Sequence, residues 1–305
     1  MATPTDLVYT PEDLERQSFA DPALAVLGHP VDHSISPAMH NAALAEMALS
    51  DTRFATWRYF KFDVAPEDLP RTLERFHARG FLGVNLTVPH KVIAFGHVAE
   101  IDAAARPIGA VNTLLRLPRG WRGYNTDGHG LATAVREELG ATLAGAAVVL
   151  LGAGGAARAA AVECLQRGCS SLWISNRTPA RLDALLPVLH PLAAAVPLQG
   201  FDPLAPPRDL PAGALVINAT SLGLRPNDPP PIDLARLPRP AGVFDMIYTP
   251  AKTALLRAAA ALGVPHADGL SMLVHQGARA LEIWSAARVP VAAMQRAARQ
   301  ALGWA

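Results

Sequence analysis

The 305-residue sequence lacks several features that would place it in other classes of protein. It has only two cysteines, Cys164 and Cys169, and their spacing fits neither a CxxC pair nor a zinc site. We therefore expect two reduced core thiols and no metal. The formal net charge is only +1, which provides no basic surface for nucleic acid or anionic lipid.

The sequence also lacks the apolar segments that would direct it to a membrane. The most apolar run, at 143–157, is glycine-rich and too short to span a bilayer. Residues 1–24 contain acidic side chains and lack the basic and apolar regions of a secretion signal. These absences predict a cytoplasmic protein that binds a small molecule, not a membrane or a nucleic acid.

What is present indicates an ordered α/β protein. Hydrophobic residues make up 50% of the chain and charged residues 17%, and its length exceeds what one hydrophobic core usually supports. Strand and helix patterns alternate, which favours mainly parallel sheets covered by helices. The expected strands cover 24–27, 57–62, 81–86, 146–151, 171–175, 214–218 and 242–245. The expected helices cover 37–48, 66–80, 126–139, 155–167, 255–262 and 270–287, with proline-rich loops at 203–211 and 226–240.

The segment GAGGAA at 152–157 follows a buried strand and opens a helix, which is typical of a dinucleotide-binding turn. Gly152 would permit the tight turn, Gly154 the close approach of a pyrophosphate, and Ala157 close helix packing. Taken alone, the motif also fits a tight turn with no ligand. Near the expected ribose-reading position the chain has Arg177, with Arg181 beyond it, where an NAD site usually has an acidic residue. This favours NADP(H) over NAD.

Polar motifs precede that turn in the sequence and indicate a substrate pocket. Ser34 and Ser36 lie two residues apart, so in extended backbone both hydroxyls would face one carboxylate; alternatively, Ser36 only caps a helix. Lys91 and Asp127 would ordinarily be a surface lysine and a helix cap. A reductase, however, needs an oriented proton donor beside the alkoxide that hydride transfer creates, and this pair would supply one.

The chain closely resembles the shikimate dehydrogenases over almost its whole length. Nine segments match in order: SISP at 34–37, NLTVPHK at 85–91, GAVNT at 109–113, NTDG at 125–128, GAGGA at 152–156, NRTPAR at 176–181, NATS at 218–221, DMIY at 245–248 and DGLSMLVHQ at 268–276. The resemblance implies two domains, a substrate domain formed by 1–126 and 269–305 and a Rossmann-type NADP-binding domain formed by 127–268.

The resemblance also implies a reaction and the residues that perform it: the reversible NADPH-dependent reduction of 3-dehydroshikimate to shikimate, on the route to aromatic amino acids. Lys91 and Asp127 would be the catalytic pair. Substrate contacts would come from Ser34, Ser36, Asn85, Thr87, Asn112, Asp127, Tyr248, Gly269 and Gln276. Cofactor contacts would come from Gly152, Ala153, Gly154, Gly155, Ala156, Asn176, Arg177, Thr178, Arg181, Thr220, Ser221 and Met246.

Two alternatives remain beside that interpretation. A quinate or dual quinate/shikimate dehydrogenase would share the scaffold, although some quinate-preferring members carry Thr in place of Ser36 and an acidic residue in place of Arg177. A non-catalytic NADP-binding sensor would be expected to lose Lys91 or Asp127, and the chain has both. It departs from many relatives at Ser271, where they have Gly, and in a longer segment before Leu24. A homodimer is possible.

Overall fold

The computed structural model describes residues 6–87, 89–249 and 252–304. The chain forms two units: unit 1 comprises Met1–Thr126 and Val274–Ala305, and unit 2 comprises Asp127–Leu273. The return to unit 1 lies within a helix, later in the chain than the expected crossing at Gly269. Val88 of the NLTVPHK segment and the first five residues of the N-terminal segment lie outside the described residues.

Unit 1 is built on a seven-stranded sheet with the strand order β1-β3-β2-β4-β6-β7-β5. Four of its pairings are parallel, while β6 is antiparallel to both β4 and β7. The strands are β1 (Val8–Tyr9), β2 (Ala23–Gly28), β3 (Arg58–Asp63), β4 (Gly83–Leu86), β5 (Glu100–Ile101), β6 (Thr113–Arg116) and β7 (Trp121–Tyr124).

The helices of unit 1 cover this sheet. They are α1 (Asp13–Arg16), α2 (Ser36–Met47), α3 (Leu69–Ala78), α4 (His90–Phe95) and α10 (Val291–Ala301), with part of α9 (Leu270–Ser285). In α3, the buried residues Leu69, Leu73 and Phe76 recur at helical spacing, so one face packs on the sheet. Those side chains join an apolar cluster that also contains Phe60 and Phe62 of β3 and buried residues of β2 and β4.

Unit 2 contains a six-stranded, fully parallel sheet in the order β10-β9-β8-β11-β12-β13. Its strands are β8 (Ala147–Leu151), β9 (Ser171–Ser175), β10 (Leu198–Phe201), β11 (Leu215–Asn218), β12 (Gly242–Asp245) and β13 (His266–Ala267). Its helices are α5 (Asp127–Leu139), α6 (Gly155–Gln166), α7 (Pro179–Ala193), α8 (Ala254–Ala261) and the start of α9. The chain adds β9 and β10 on one side of β8 and then β11, β12 and β13 on the other side. Sheets of this kind bind ligands at the position where the strand order reverses.

The predicted α/β class with mainly parallel sheets is confirmed, and each predicted helix and strand has a counterpart. The sequence patterns missed α7, which contains Pro187 and Pro191, and the antiparallel pair β6–β7. Within the predicted loop 226–240 there is one short 3₁₀ turn, Leu234–Arg236. Among the described residues, no helix combines the length and apolar character needed to cross a membrane.

Candidate active site

A cavity of about 260 Å³ opens at the carboxyl ends of β8, β9 and β11 in unit 2. Three connecting segments form most of its wall, one after each of these strands. The residues that line it are Leu151, Gly152, Ala153, Gly154, Ser175, Asn176, Arg177, Thr178, Arg181, Pro203, Ala219, Thr220, Ser221, Leu222 and Pro231. The structure therefore brings together, in one cavity, most of the residues predicted to bind the cofactor.

The turn after β8 depends on the absence of a side chain at Gly152. Its backbone has φ +114°, and its N–H donates to the carbonyl of Ser175 at 2.7 Å. A Cβ atom here would lie 3.0 Å from the carbonyl oxygen of Ala219. Helix α6 begins at Gly155, so its first backbone amides follow directly on the cavity wall. Such amides and the helix dipole favour a phosphate.

The wall contributed after β9 is cationic. Arg177 and Arg181 are exposed, and none of the lining residues carries a carboxylate. The Asn176 side chain donates to the carbonyl of Thr178 at 2.9 Å, which holds the turn that presents Arg177. Two guanidinium groups without an acidic neighbour in the wall suit a 2′-phosphate, and the wall lacks the carboxylate that an NAD site usually has.

A buried polar network holds the third wall segment in place. Asn218 donates to Asp245 Oδ1 at 2.9 Å and to the carbonyl of Leu222 at 3.3 Å, while its Oδ1 accepts from both the N–H and the hydroxyl of Thr220. Asp245 also accepts from Thr253 and from the N–H of Ile247. Burial raises the pKa of Asp245, against the effect of these hydrogen bonds, which lower it.

Met246, Tyr248 and Gly269 lie in unit 2, beyond β12. A Cβ atom on Gly269 would overlap the Met246 carbonyl, so glycine permits the two backbones to touch. The N–H of Gly269 also donates to the carbonyl of Ile247 at 3.2 Å. Tyr248 is partly buried, and this burial raises the pKa of its hydroxyl. Neither Met246 nor Tyr248 is among the residues lining the 260 Å³ cavity.

On the substrate side of unit 1, the predicted extended backbone at Ser36 is wrong. Ser36 is the first residue of α2, and Ile35 before it has φ −90° and ψ 1°, because a turn at residues 31–34 leads directly into the helix. Ser34 and Ser36 nevertheless lie together, with the N–H of Ser36 donating to Ser34 Oγ at 3.4 Å. The Ser36 side chain does not cap α2.

Three of the predicted substrate residues belong to one hydrogen-bonded network. Asn85 donates to the carbonyl of Asn112 at 3.1 Å, and Asn112 Nδ2 donates to Gln276 Oε1 at 3.3 Å. Thr126 ties these groups together: its N–H donates to Asn112 Oδ1 at 2.8 Å, and its hydroxyl accepts from Asn112 Nδ2 at 3.0 Å. Asn85, Asn112 and Thr126 are almost fully buried, so the network holds a fixed set of polar groups.

Thr87 and Lys91 follow strand β4. The N–H of Thr87 donates to the carbonyl of Leu27, and a Cβ atom on Gly28 would overlap the Thr87 side chain. Lys91 lies on α4, where its carbonyl accepts from the N–H of Val111 at 2.9 Å. Its predicted partner, Asp127, is the first residue of α5 and of unit 2. Both side chains are partly buried.

Sequence reasoning missed several residues that hold these groups: Tyr59, Thr113, Thr126, Asn218 and Asp245. Four of them lie inside segments that match the family, and that match was the signal that could have identified them: Asn218, Asp245, Thr113 and Thr126. Tyr59 lies outside all nine segments, in a strand identified only by its alternating pattern. The register of the sheet, and no sequence motif, brings Tyr59 near Asn85.

The parallel sheet of unit 2, with a glycine turn at its switch point and a cationic cavity beside it, defines a Rossmann-type dinucleotide-binding unit. Two family models match parts of the chain: the shikimate dehydrogenase substrate binding domain at residues 26–114, and the shikimate 5′-dehydrogenase C-terminal domain at residues 269–299. An NADP⁺ shikimate dehydrogenase of Moorella thermoacetica is 41% identical, covering 92% of this chain and 93% of the relative. Its counterpart in Symbiobacterium thermophilum is 42% identical, covering 92% and 94%.

Solved structures agree with these relatives. Shikimate 5-dehydrogenase of Thermus thermophilus, crystallised with NADP(H) and shikimate, is 37% identical with a TM-score of 0.79, covering 92% of this chain and 99% of that one. A 5-ketofructose reductase of Gluconobacter is 32% identical with a TM-score of 0.80, covering 93% and 99%. The chain belongs to the shikimate dehydrogenase family.

Proposed function

We propose that this protein catalyses the reversible NADPH-dependent reduction of 3-dehydroshikimate to shikimate, a step toward chorismate and the aromatic amino acids. One observation carries the proposal: Asn85, Asn112 and Gln276, which the family resemblance assigns to the substrate, form one hydrogen-bonded network in unit 1, and the two asparagines are buried. Relatives that match more than nine-tenths of the chain are named for this activity. The substrate is a polyhydroxylated ring, and amides and hydroxyls are the groups that recognise ring hydroxyls.

We assign the proton transfer to Lys91. When bound, NADPH would supply the hydride that the carbonyl carbon of the substrate accepts. The carbonyl oxygen then takes a proton from the Lys91 ammonium group, which leaves a hydroxyl and a neutral amine. We assign Asp127 to accept a hydrogen bond from a substrate hydroxyl. Ser34 and Ser36, whose hydroxyls are donors, hold the carboxylate of the ring.

NADP(H) would be held by the cavity of unit 2. Gly152 lets the pyrophosphate approach the backbone, and the first amides of α6 donate to it. Arg177 and Arg181 pair with the 2′-phosphate. Thr220 and Ser221 contribute the opposite wall, which Asn218 holds in place. The residues present therefore suit this cofactor.

Location and assembly are further proposals. Cys164 and Cys169 are both buried free thiols, which supports a reducing cytoplasmic location. A homodimer stays a prediction, and light scattering on the purified protein decides it.

Steady-state assays of the purified protein test the proposed activity. Shikimate and quinate are each oxidised with NADP⁺ or NAD⁺, and 5-ketofructose is reduced with NADPH or NADH, while the absorbance of the reduced nicotinamide is followed. We expect the highest kcat/KM with shikimate and NADP⁺. A higher kcat/KM with quinate or 5-ketofructose, or no turnover of shikimate, would overturn the proposal.

A further inference from the structure

Tyr59 is a fully buried tyrosine on β3 whose hydroxyl contacts a residue assigned to the substrate. It donates to Asn85 Oδ1 at 2.8 Å. The single proton of the phenol is used in that bond. Tyr59 therefore holds the asparagine assigned to a ring hydroxyl.

The register of the sheet explains how Tyr59 reaches Asn85. Strand β2 lies between β3 and β4, and Leu24 is level with Tyr59 on one side and with Gly83 on the other. Asn85 is two residues beyond Gly83, so it lies on the same face of the sheet as Gly83. Because Gly83 has no side chain, the indole of Trp284 occupies that position, where a Cβ atom would overlap it.

The surroundings of Tyr59 fix the orientation of its ring. His40 stacks on it with ring centroids 4.0 Å apart and an interplanar angle of 13°. Burial lowers the pKa of His40 to about 4, so the imidazole is neutral at pH 7, and its Nδ1 lies 2.9 Å from the Ser36 carbonyl. That carbonyl can only accept, so Nδ1 carries the proton. Burial also raises the pKa of Tyr59, so the phenol stays protonated and remains a donor.

The hydrogen bonds of Asn85 limit what it can offer a ligand. Both of its N–H groups are engaged, one with the carbonyl of Asn112 at 3.1 Å and the other with Thr113 Oγ1 at 2.9 Å. Its Oδ1 accepts from Tyr59 and has a second lone pair. Asn85 can therefore meet a ring hydroxyl only as an acceptor.

We propose that Tyr59 is a positioning residue for substrate recognition: it fixes the direction in which Asn85 Oδ1 presents its second lone pair. That direction selects a ring hydroxyl that donates to Asn85. The inference rests on the proposed function, since it takes shikimate as the ligand. If Tyr59 had only a structural role, its substitution would affect folding and would not raise KM while leaving kcat unchanged.

The variant Tyr59→Phe removes the hydroxyl and keeps the ring. We expect its KM for shikimate to rise about 10-fold, the scale of one lost buried hydrogen bond, with kcat within about twofold of wild type. Its KM for NADP⁺ should not change, because the cofactor residues lie in unit 2. Tyr9→Phe is the matched control, since Tyr9 is a buried tyrosine of the same sheet that packs in the apolar cluster. It should leave the KM for shikimate at the wild-type value.

A double-mutant cycle shows whether Tyr59 acts through Asn85. If it does, adding Tyr59→Phe to Asn85→Ala raises KM by much less than Tyr59→Phe does alone. The inference is overturned if the two substitutions multiply KM independently, or if KM is unchanged in Tyr59→Phe. In either case, turnover of shikimate by the wild type leaves the proposed function intact. Absence of that turnover in the wild type overturns the proposed function and this inference together. Circular dichroism of each variant confirms that it is folded.

Discussion

The polar residues of the two units are arranged in opposite ways. In unit 1 two of the groups assigned to the substrate, Asn85 and Asn112, are uncharged, buried and hydrogen-bonded to each other. In unit 2 the groups assigned to the cofactor are backbone amides at a glycine turn and exposed cations, Arg177 and Arg181. A phosphate brings its own charge, so a few cations recognise it. A neutral ring hydroxyl is recognised only by donors and acceptors already held in the correct direction.

This contrast has an energetic consequence. Removing one partner in the network of unit 1 leaves a buried donor or acceptor unpaired, which costs about 1–3 kcal/mol. Replacing an exposed arginine of unit 2 costs little stability and changes affinity alone. The Asn218–Asp245 network is an exception within unit 2, because it is buried and supports the Thr220 segment.

The largest expected effect concerns the chemical step. Lys91→Ala should lower kcat for shikimate oxidation by about 10²–10⁴-fold, the scale of a general acid–base group. Its KM values for shikimate and NADP⁺ should change much less, since neither assigned binding set depends on this side chain. Steady-state kinetics on the purified variant provide the measurement. A kcat close to that of the wild type would remove Lys91 from the mechanism.

The second prediction tests whether the cations of unit 2 choose the cofactor. Arg177→Asp places a carboxylate against the 2′-phosphate and should shift the ratio of kcat/KM for NADP⁺ over NAD⁺ by on the order of 10²-fold toward NAD⁺. Arg208→Asp makes the same change in charge at an exposed residue that does not line the cavity. It should leave the ratio unaltered, and an equal shift in both variants would contradict the assignment.

The third prediction contrasts a buried titratable group of each unit. The pKa of His40 is lowered to about 4, so the fold favours its neutral form. Its contribution to stability is present above pH 6.5 and is lost as the pH falls, by about 3 kcal/mol at most near pH 4. Asp245 has the opposite sign. Because its pKa is raised in the folded state, its contribution to stability is lost as the pH rises above the ordinary value of 3.8 and through the higher folded value.

Denaturation of the wild type, His40→Gln and Asp245→Asn across this pH range checks these signs. Between pH 6.5 and 4, the free energy of unfolding of the wild type should fall relative to that of His40→Gln. The variant is therefore favoured at low pH. For Asp245→Asn, the free energy of unfolding should rise relative to that of the wild type as the pH rises. Parallel curves for either variant would show that the group does not titrate as its burial implies.

The smallest expected effect is at Ser271. Its hydroxyl is buried and makes no hydrogen bond within the described residues. Ser271→Ala should therefore raise the free energy of unfolding by about 1 kcal/mol or less, without a change in kcat. In the same helix the Ser285 hydroxyl accepts from the N–H of Ala287. Ser285→Ala is the control and should lower stability. If both variants are more stable than the wild type, the higher helix propensity of alanine explains the gain and the unpaired hydroxyl does not.

The same contrast explains how much the sequence could predict. The glycine turn of unit 2 was predictable because backbone geometry restricts Gly152 to one residue type, and that restriction is local. The predicted family and cofactor are confirmed by the relatives, whereas the individual site residues stay predictions. Helix α7 was missed because Pro187 and Pro191 lower helix propensity, although its buried leucines pack on the unit.

The network of unit 1 could not be predicted in the same way. Tyr59 and Asn85 are 26 residues apart, and they meet across β2 only because two parallel registers align them. Nothing local in the chain specifies those registers, which are set by burial of the apolar face of the sheet. Ser36 shows the limit of local reasoning as well, since its spacing from Ser34 was interpreted with extended backbone where a helix begins.

The short strand β1 has a consequence for how the protein behaves at high concentration. Val8 and Tyr9 pair with Lys61 and Phe62 and so occupy the outer side of β3. Without them, β3 would be the edge of the sheet, with a row of unpaired backbone groups beside the rings of Phe60 and Phe62. An uncovered edge of that kind recruits strands from other chains. By pairing with this part of β3, the two-residue strand β1 shortens the edge that is open to other chains, an effect that an activity assay on dilute enzyme does not measure.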